Sequence, residues 1–369
     1  MDSTLNFCAT GREIVLQPQV WRAWIAPLAG AVNTLRTWIA GRRPDEIWLS
    51  GAGSSAYVGD IVAGELGATS HVPVKAVAST DFVSCPRNYL RKGVRLLVVS
   101  FGRSGNSSES LGVLDLLDRL MPEADRLNIT CNREGVLATR PARGPGDSRA
   151  LVLPESTHDS GFAMTASFTT MTLSALAVLS DLGPATLAER MEAAAASAET
   201  MVGLDLAALG MASPPERIVF LGSGSLMGAA RESALKVMEL TMGRVAALWD
   251  TPLGFRHGPK SFVNERTRVV VMIAGDPVVR RYDLDLIAEL RRQFGTGTVL
   301  TMGEADAEPD VVVAANGSDG WRAPVFVILA QIAGVRWSSD MGINVDDPFA
   351  GHGNLTRVVS GVRLYADLV

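Results

Sequence analysis

Two carboxylates and an ammonium recur at helical spacing in the stretch A-R-E-S-A-L-K-V-M-E, residues 230–239. At roughly 100° per residue, Glu232, Lys236, Glu239 and Gly243 fall in one stripe about 60° wide. Around it the helix is apolar, through Leu235, Val237, Met238, Leu240 and Met242, with Arg231 the exception near its start. A helix apolar on most sides is normally buried, and buried charges are costly unless paired or used. An i,i+4 Glu232–Lys236 surface pair is the plainer alternative. A narrow polar seam on a core helix, with His257 close behind, points instead to acid–base chemistry. A carboxylate can take a proton, an ammonium can hold developing negative charge, and an imidazole can shuttle. The chain has four histidines and four lysines, and His257, Lys236 and Lys260 all fall between residues 222 and 260.

Other loops carry binding chemistry. The segment S-F-G-R-S-G-N-S-S-E-S, residues 100–110, lies between a strand and a helix. Its free N–H groups and the hydroxyls of Ser104 and Ser107, around Gly105 and Asn106, make an anion cradle to which the helix dipole adds. Arg103 brings positive charge there. The alternative is a serine-rich loop that only caps the helix. No G-x-x-x-x-G-K-[ST] loop exists, and neither Gly/Ser turn has the full G-x-G-x-x-G with an acidic ribose partner, so a nucleotide site is disfavoured. The loop E-S-T-H-D-S-G-F-A-M-T, residues 155–165, offers His158 and Asp159 as a cap and surface pair, or as substrate contacts. His71 and His352 lack any partner pattern and are expected to be structural or exposed.

The elements that hold these residues read as an α/β chain. A helix over 18–39 leads into strand 46–50, the turn Gly51-Ala-Gly-Ser54-Ser55 and helix 56–67. Strands follow at 72–78 and 94–101, then helix 108–120, strands 126–131 and 150–153, and a helix of about 20 residues ending near Leu182. After a helical linker over 185–210 the pattern repeats, with strand 217–221, the turn Gly222-Ser-Gly-Ser-Leu and a helix from near Ser225. Strands at 245–249, 268–274, 298–301 and 311–314 and helices at 278–294 and 321–338 complete it. Near-continuous β-branched runs alternating with helices indicate parallel sheets covered on both faces. The two Gly/Ser turns, about 170 residues apart, mark an internal duplication with ligands expected at strand carboxyl ends. The expected division is an N-terminal helical segment (1–35), a first α/β domain (36–184), the linker, and a second domain (211–369) whose tail ends in a strand over 357–365.

Composition narrows the classes. With 47% hydrophobic and 20% charged residues and a net charge of −5, the 369-residue chain is ordinary globular protein without a basic field for nucleic acid. Three scattered cysteines form no C-x-x-C, which fits a reducing cytoplasm and no zinc site. No signal segment opens the chain, and the apolar run at 323–335 is too short to span a bilayer.

From about residue 35 onward the chain resembles the sugar isomerase domain family, whose members bind phosphosugars with two tandem flavodoxin-like domains. The serine loop 103–107, the stretch 230–239 and F-R-H-G-P-K, residues 255–260, carry the resemblance. The last two are similar to the isomerase half of glucosamine-6-phosphate synthase. That resemblance implies Glu239 as the base between C1 and C2, His257 in ring opening, and Lys236 and Glu232 as their catalytic site partners. It also implies that His257 is supplied by the neighbouring subunit of a homodimer or higher oligomer. It implies Ser54, Ser55, Arg103, Ser104, Gly105, Asn106, Ser107, His158 and Thr165 around the substrate, with Arg357 in a closing tail where a lysine is usual. The motifs R-S-G-N-S-x-E-S, H-D-S-G-F-A-M-T-A-S-F-T and R-V-V-S-G-V most resemble the galactosamine-6-phosphate deaminase/isomerase, or tagatose-6-phosphate ketose/aldose isomerase, branch. Gly102, where relatives often carry Ser or Ala, and the segment 346–353 depart from its pattern. No glutaminase-type nucleophilic cysteine opens the chain, so glutamine-dependent synthesis is not expected. The implied reaction turns a 2-amino-2-deoxyhexose 6-phosphate into a ketose 6-phosphate and ammonia and calls for no metal or redox cofactor. A plain isomerase, a deglycase of amino-acid-modified sugar phosphates and a non-catalytic phosphosugar sensor are the alternatives.

Overall fold

The structure, a computed structural model, is described over residues 3–90, 93–314, 316–351 and 355–365. Its first half begins with α1 (Ala9–Arg42) and runs through β1 (Glu46–Ser50), α2 (Ser54–Leu66), β2 (Val74–Ala76), α3 (Ser79–Ser84), β3 (Leu96–Gly102) and α4 (Ser108–Leu120). It continues through β4 (Asp125–Thr130), α5 (Val136–Thr139), β5 (Ser148–Val152), α6 (Ala166–Leu179) and α7 (Pro184–Val202). The second half contains β6 (Arg217–Gly222), α8 (Ser225–Leu240), β7 (Ala246–Asp250), α9 (Pro252–Phe255) and β8 (Thr267–Met272). It ends with α10 (Pro277–Phe294), β9 (Val299–Gly303), β10 (Val311–Val312) and α11 (Asp319–Asp340).

Among the described residues all strand pairs are parallel, in the orders β2-β1-β3-β4-β5 and β7-β6-β8-β9-β10. Both are the same doubly wound order, which is the duplication expected from the turns. The turns themselves match in conformation: Gly53 has φ 54°, ψ −128° and Gly224 has φ 56°, ψ −126°. Each lets the chain leave a strand and enter a helix within two or three residues, in a region that side-chain-bearing residues avoid.

Between the sheets lie α6 and α11, buried along nearly their whole length, with α8 and α2 packed beside them. Their all-round apolarity makes them interior helices. The helix α1 crosses this layer, burying Trp21 and Trp24, and Trp24 Nε1 donates to Ser174 Oγ at 3.0 Å.

Several expectations need correction. The first helix starts at Ala9, not Pro18, because Asp346 caps it from the far end of the chain, accepting from Ala9 N and Thr10 N at 2.8 Å each. Residue 35, placed at the end of a separate segment, lies inside this helix. No strand forms over 357–365; those residues cross the start of α4 as irregular chain. The helix ending near residue 182 is shorter, Ala166–Leu179.

Candidate active site

The helix α8 enters the boundary between the halves from the turn at Gly224. Glu232 and Lys236 are fully buried, whereas Glu239, one turn further, keeps 22% of its side chain exposed. Lys236 Nζ stands 2.5 Å from Glu239 Oε2 and 3.3 Å from Glu232 Oε1. It also donates to Ser54 Oγ, at the start of α2, across 3.0 Å. The ammonium is therefore held by both halves of the duplication. Gly243 is not part of the site: with φ 71° it terminates α8, its N–H donating to Met238 O.

Electrostatics divides the two carboxylates. Burial pushes the Glu232 carboxyl up to about 8, although Lys236 opposes this. It is mostly protonated at neutral pH. Burial alone would lower the Lys236 pKa, but Glu232 and Glu239 outweigh it and hold the ammonium above the ordinary lysine value. Of the three, only Glu239 reaches the outside, with the Lys236 ammonium buried behind it and the raised Glu232 carboxyl behind that.

Glu239 lines a cleft of about 220 Å³ together with Ser54, Ser55, Arg103, Ser104, Gly105, Ser107 and the tail residue Arg357. Gly105 has φ 67°, and a Cβ there would come within 3.1 Å of Thr130 Oγ1, so the serine loop needs glycine at this point. Ser107 caps α4, accepting from Ser110 N at 3.3 Å, and its hydroxyl lies 2.9 Å from that of Ser110. The N-terminus of α4 aims at the cleft with a neutral cap, the arrangement that suits an external anion. A larger hollow of about 580 Å³ beside His71 and Arg190 has no acid–base stripe near it.

Other predicted residues lie elsewhere. Asn106 turns outward, its Oδ1 accepting from Val136 N at 2.9 Å. Thr165 is fully buried and donates to Asp159 Oδ1. Asp159 is a buried cap of α6, also accepting from the N–H groups of Thr165, Ala166 and Ser167. His158 is half-buried beside it, off the cleft wall, and burial lowers its pKa, with Arg357 and Arg103 adding to the effect. His257 is exposed and does not line the cleft of its own chain. Lys260 pairs with Glu289. His71 is exposed near Asp181, and His352 lies outside the described residues.

Sequence reasoning missed Ser110, Phe162, Met164 and Thr356 on the cleft wall. It also missed Asp60, which holds Arg231 at 2.5 Å while that guanidinium stacks between Tyr57 and Trp249 at 4.7 and 4.6 Å. Asp60 and Arg231 are as far apart in sequence as Gly53 and Gly224, so the repeat offset was the available signal.

No family model matches the chain. A D-galactosamine-6-phosphate deaminase, AgaS, of Escherichia coli is 41% identical over 371 residues, covering 96% of this chain and 95% of that protein. The crystal structure of a tagatose-6-phosphate ketose/aldose isomerase from Escherichia coli is 38% identical with a TM-score of 0.84, over 94% of this chain and 96% of that one. The C-terminal domain of glucosamine-fructose-6-phosphate aminotransferase from Francisella tularensis, 20% identical with a TM-score of 0.74 over 92% and 98% of the two chains, shares the fold. The buried stripe, the serine loop and full-length similarity agree: the chain belongs to the AgaS family of tandem sugar isomerase domain proteins.

Proposed function

We propose that the chain is an enzyme that isomerises and deaminates a 2-amino-2-deoxyhexose 6-phosphate, galactosamine 6-phosphate in the first instance, giving tagatose 6-phosphate and ammonia. The observation that carries this is Lys236 fixed between the carboxyl groups of Glu232 and Glu239, the latter on the wall of a serine-lined cleft. The phosphate docks on Ser55, Ser104, Ser107 and the N–H groups of their loop. His257, supplied by a second copy in a homodimer, moves a proton between the ring oxygen and O1 and opens the ring. Glu239 removes the C2 proton, acidified by the C1 aldehyde, and returns it to C1. Lys236 tempers the negative charge that develops on the enolamine. The resulting C2 imine takes up one water and releases ammonia. A cytoplasmic location fits three cysteines that are all free.

Plain ketose–aldose isomerisation is the second reading, favoured by the name of the Escherichia coli structure; it uses the same proton transfers and yields no ammonia. Ammonia release from galactosamine 6-phosphate, with glucosamine 6-phosphate and the N-acetyl sugars alongside, separates them. Glu239→Gln should still bind the sugar phosphate but turn over at least ~100-fold more slowly. Near-normal turnover in that variant would remove Glu239 from the mechanism.

A further inference from the structure

Arg103 sits in the serine loop, where charge and position suggest a phosphate ligand, yet its contacts lead elsewhere. The side chain is buried. Its Nη1 donates to three successive main-chain oxygens, Gly161 O at 3.3 Å, Phe162 O at 3.1 Å and Ala163 O at 3.2 Å. Nη2 donates to Arg357 O at 2.9 Å. Converging carbonyl dipoles make a seat for a cation and repel an anion, so this end of the guanidinium cannot share its partners with a phosphate. Arg357 reciprocates: its Nε donates to Gly161 O at 3.0 Å and its Nη2 to Asp159 O. Two guanidinium groups thus tie the loop 159–163 to the tail. Further along, the tail is tacked to α4, with Ser108 N donating to Val359 O and Val362 N to Ser108 Oγ, each at 3.2 Å. Tail residues 355–359 form part of the cleft wall. The described tail residues join neither sheet and leave Leu355, Val359, Val362 and Tyr365 exposed, so these polar contacts, with Leu364 packed against Gly112 of α4, are what hold it.

We infer that Arg103 is a positioning residue and not a ligand of the substrate: together with Arg357 it latches the C-terminal tail in place as the outer wall of the cleft. The consequence for catalysis rests on the cleft being the phosphosugar site; the latch itself is a property of the chain alone. A lysine could not replace this arginine, because one ammonium cannot span the carbonyls of residues 161–163 and 357 at once.

Hydrogen exchange of the tail, read by mass spectrometry on the full chain, tests the latch without any substrate. Arg103→Gln, Arg103→Lys and Arg357→Gln should each raise exchange across 355–365 by at least about tenfold over wild type. Binding of inorganic phosphate, measured by calorimetry on the same proteins, supplies the contrast. If Arg103 were a ligand, Arg103→Gln would weaken phosphate binding by about tenfold or more, Arg103→Lys would largely restore it, and the tail would exchange as in wild type. That pattern overturns the inference. Should the Arg103 variants fail to fold, Arg357→Gln leaves Arg103 in place, and wild-type exchange in it is equally fatal. Absence of ammonia from every amino sugar phosphate would count against the proposed reaction, and the exchange result would still decide the latch.

Discussion

Replacing Glu232 with glutamine should leave the protein about as stable as wild type in mild acid and more stable in alkali. The folded chain holds the Glu232 carboxyl in a fully buried site, where burial pushes its pKa up to about 8 from an ordinary 4.5. Below the ordinary value both folded and unfolded chains carry the proton, and the contribution to stability is fully present. Between the two values the unfolded chain has lost the proton and the folded chain retains it. Stability therefore falls as pH rises, by about 1.4 kcal/mol per pH unit. Across the window this amounts to about 5 kcal/mol at most, and relaxation or water entry will lessen it. Glutamine keeps the shape and the acceptor beside Lys236 but has no proton to lose. At pH 9 its advantage should be a few kcal/mol, each worth roughly 1–2 °C in Tm for a chain of 369 residues. Burial also pushes Asp283 up, to about 6, but Asp283 titrates in both proteins and drops out of the difference. Scanning calorimetry of the two proteins at pH 5, 7 and 9 measures this, and parallel Tm profiles would refute the argument. Because Glu232 is already largely protonated at pH 7, turnover of the variant there should stay within about tenfold of wild type. A hundredfold loss beside the expected Tm profile would mean that the proton itself is used.

Two further outcomes follow from the duplication and from the placement of His257. Gly53→Ala and Gly224→Ala meet no atom within 4 Å of the added Cβ, so each should cost only the backbone penalty, about 1–3 kcal/mol, and by the same amount; a Tm loss in one and not the other would break the equivalence of the turns. If His257 acts across a two-fold dimer, mixing subunits of Glu239→Gln and His257→Ala, each inactive alone, should restore about a quarter of wild-type ammonia release. Recovery no greater than the average of the parents would place His257 outside the partner's site.

What could be read from sequence had local causes. The α8 stripe was legible because three ionisable residues at helical spacing stood in an apolar surround, and the structure brings Glu232, Lys236 and Glu239 together as that spacing implies. The helix α4 begins at Ser108 because Ser107, next to it, is its cap. What failed had distant causes. The start of α1 depends on Asp346, and the anchoring of the tail depends on Arg103 meeting carbonyls some sixty residues away. The sequence shows Arg103 as a charge in an anion loop, and nothing local reveals that its Nη groups are turned to main-chain carbonyls. Thr165 was assigned to substrate for a similar reason: its hydroxyl is committed to Asp159 within a buried cap.

The duplication also shows why one crevice, and not two, is suited to a sugar phosphate. In the second half the equivalent crevice, of about 560 Å³, is lined by Ser223, Gly275, Asp276, Glu304, Asp319 and Arg322. Its helix N-terminus is capped by a carboxylate, Asp276, which accepts from Val278 N and Val279 N. Asp319 accepts from Gly275 N, Asp283 from Ala274 N, and Glu65 from Gly320 N. The chain's own anions thus occupy the donors that a phosphate would need, and like charge disfavours another anion beside them. In the first half the cap is the neutral Ser107; Arg103, Glu109 and Arg357 line the cleft, and Lys236 reaches Ser54 from the other half. The two halves have therefore diverged in what they supply. The first keeps a helix N-terminus that no carboxylate caps, and the second contributes α8. A change that loosened the contact between Ser54 and Lys236 would separate the proposed seat of the phosphate from the proposed acid–base stripe, although neither half alone would be visibly damaged.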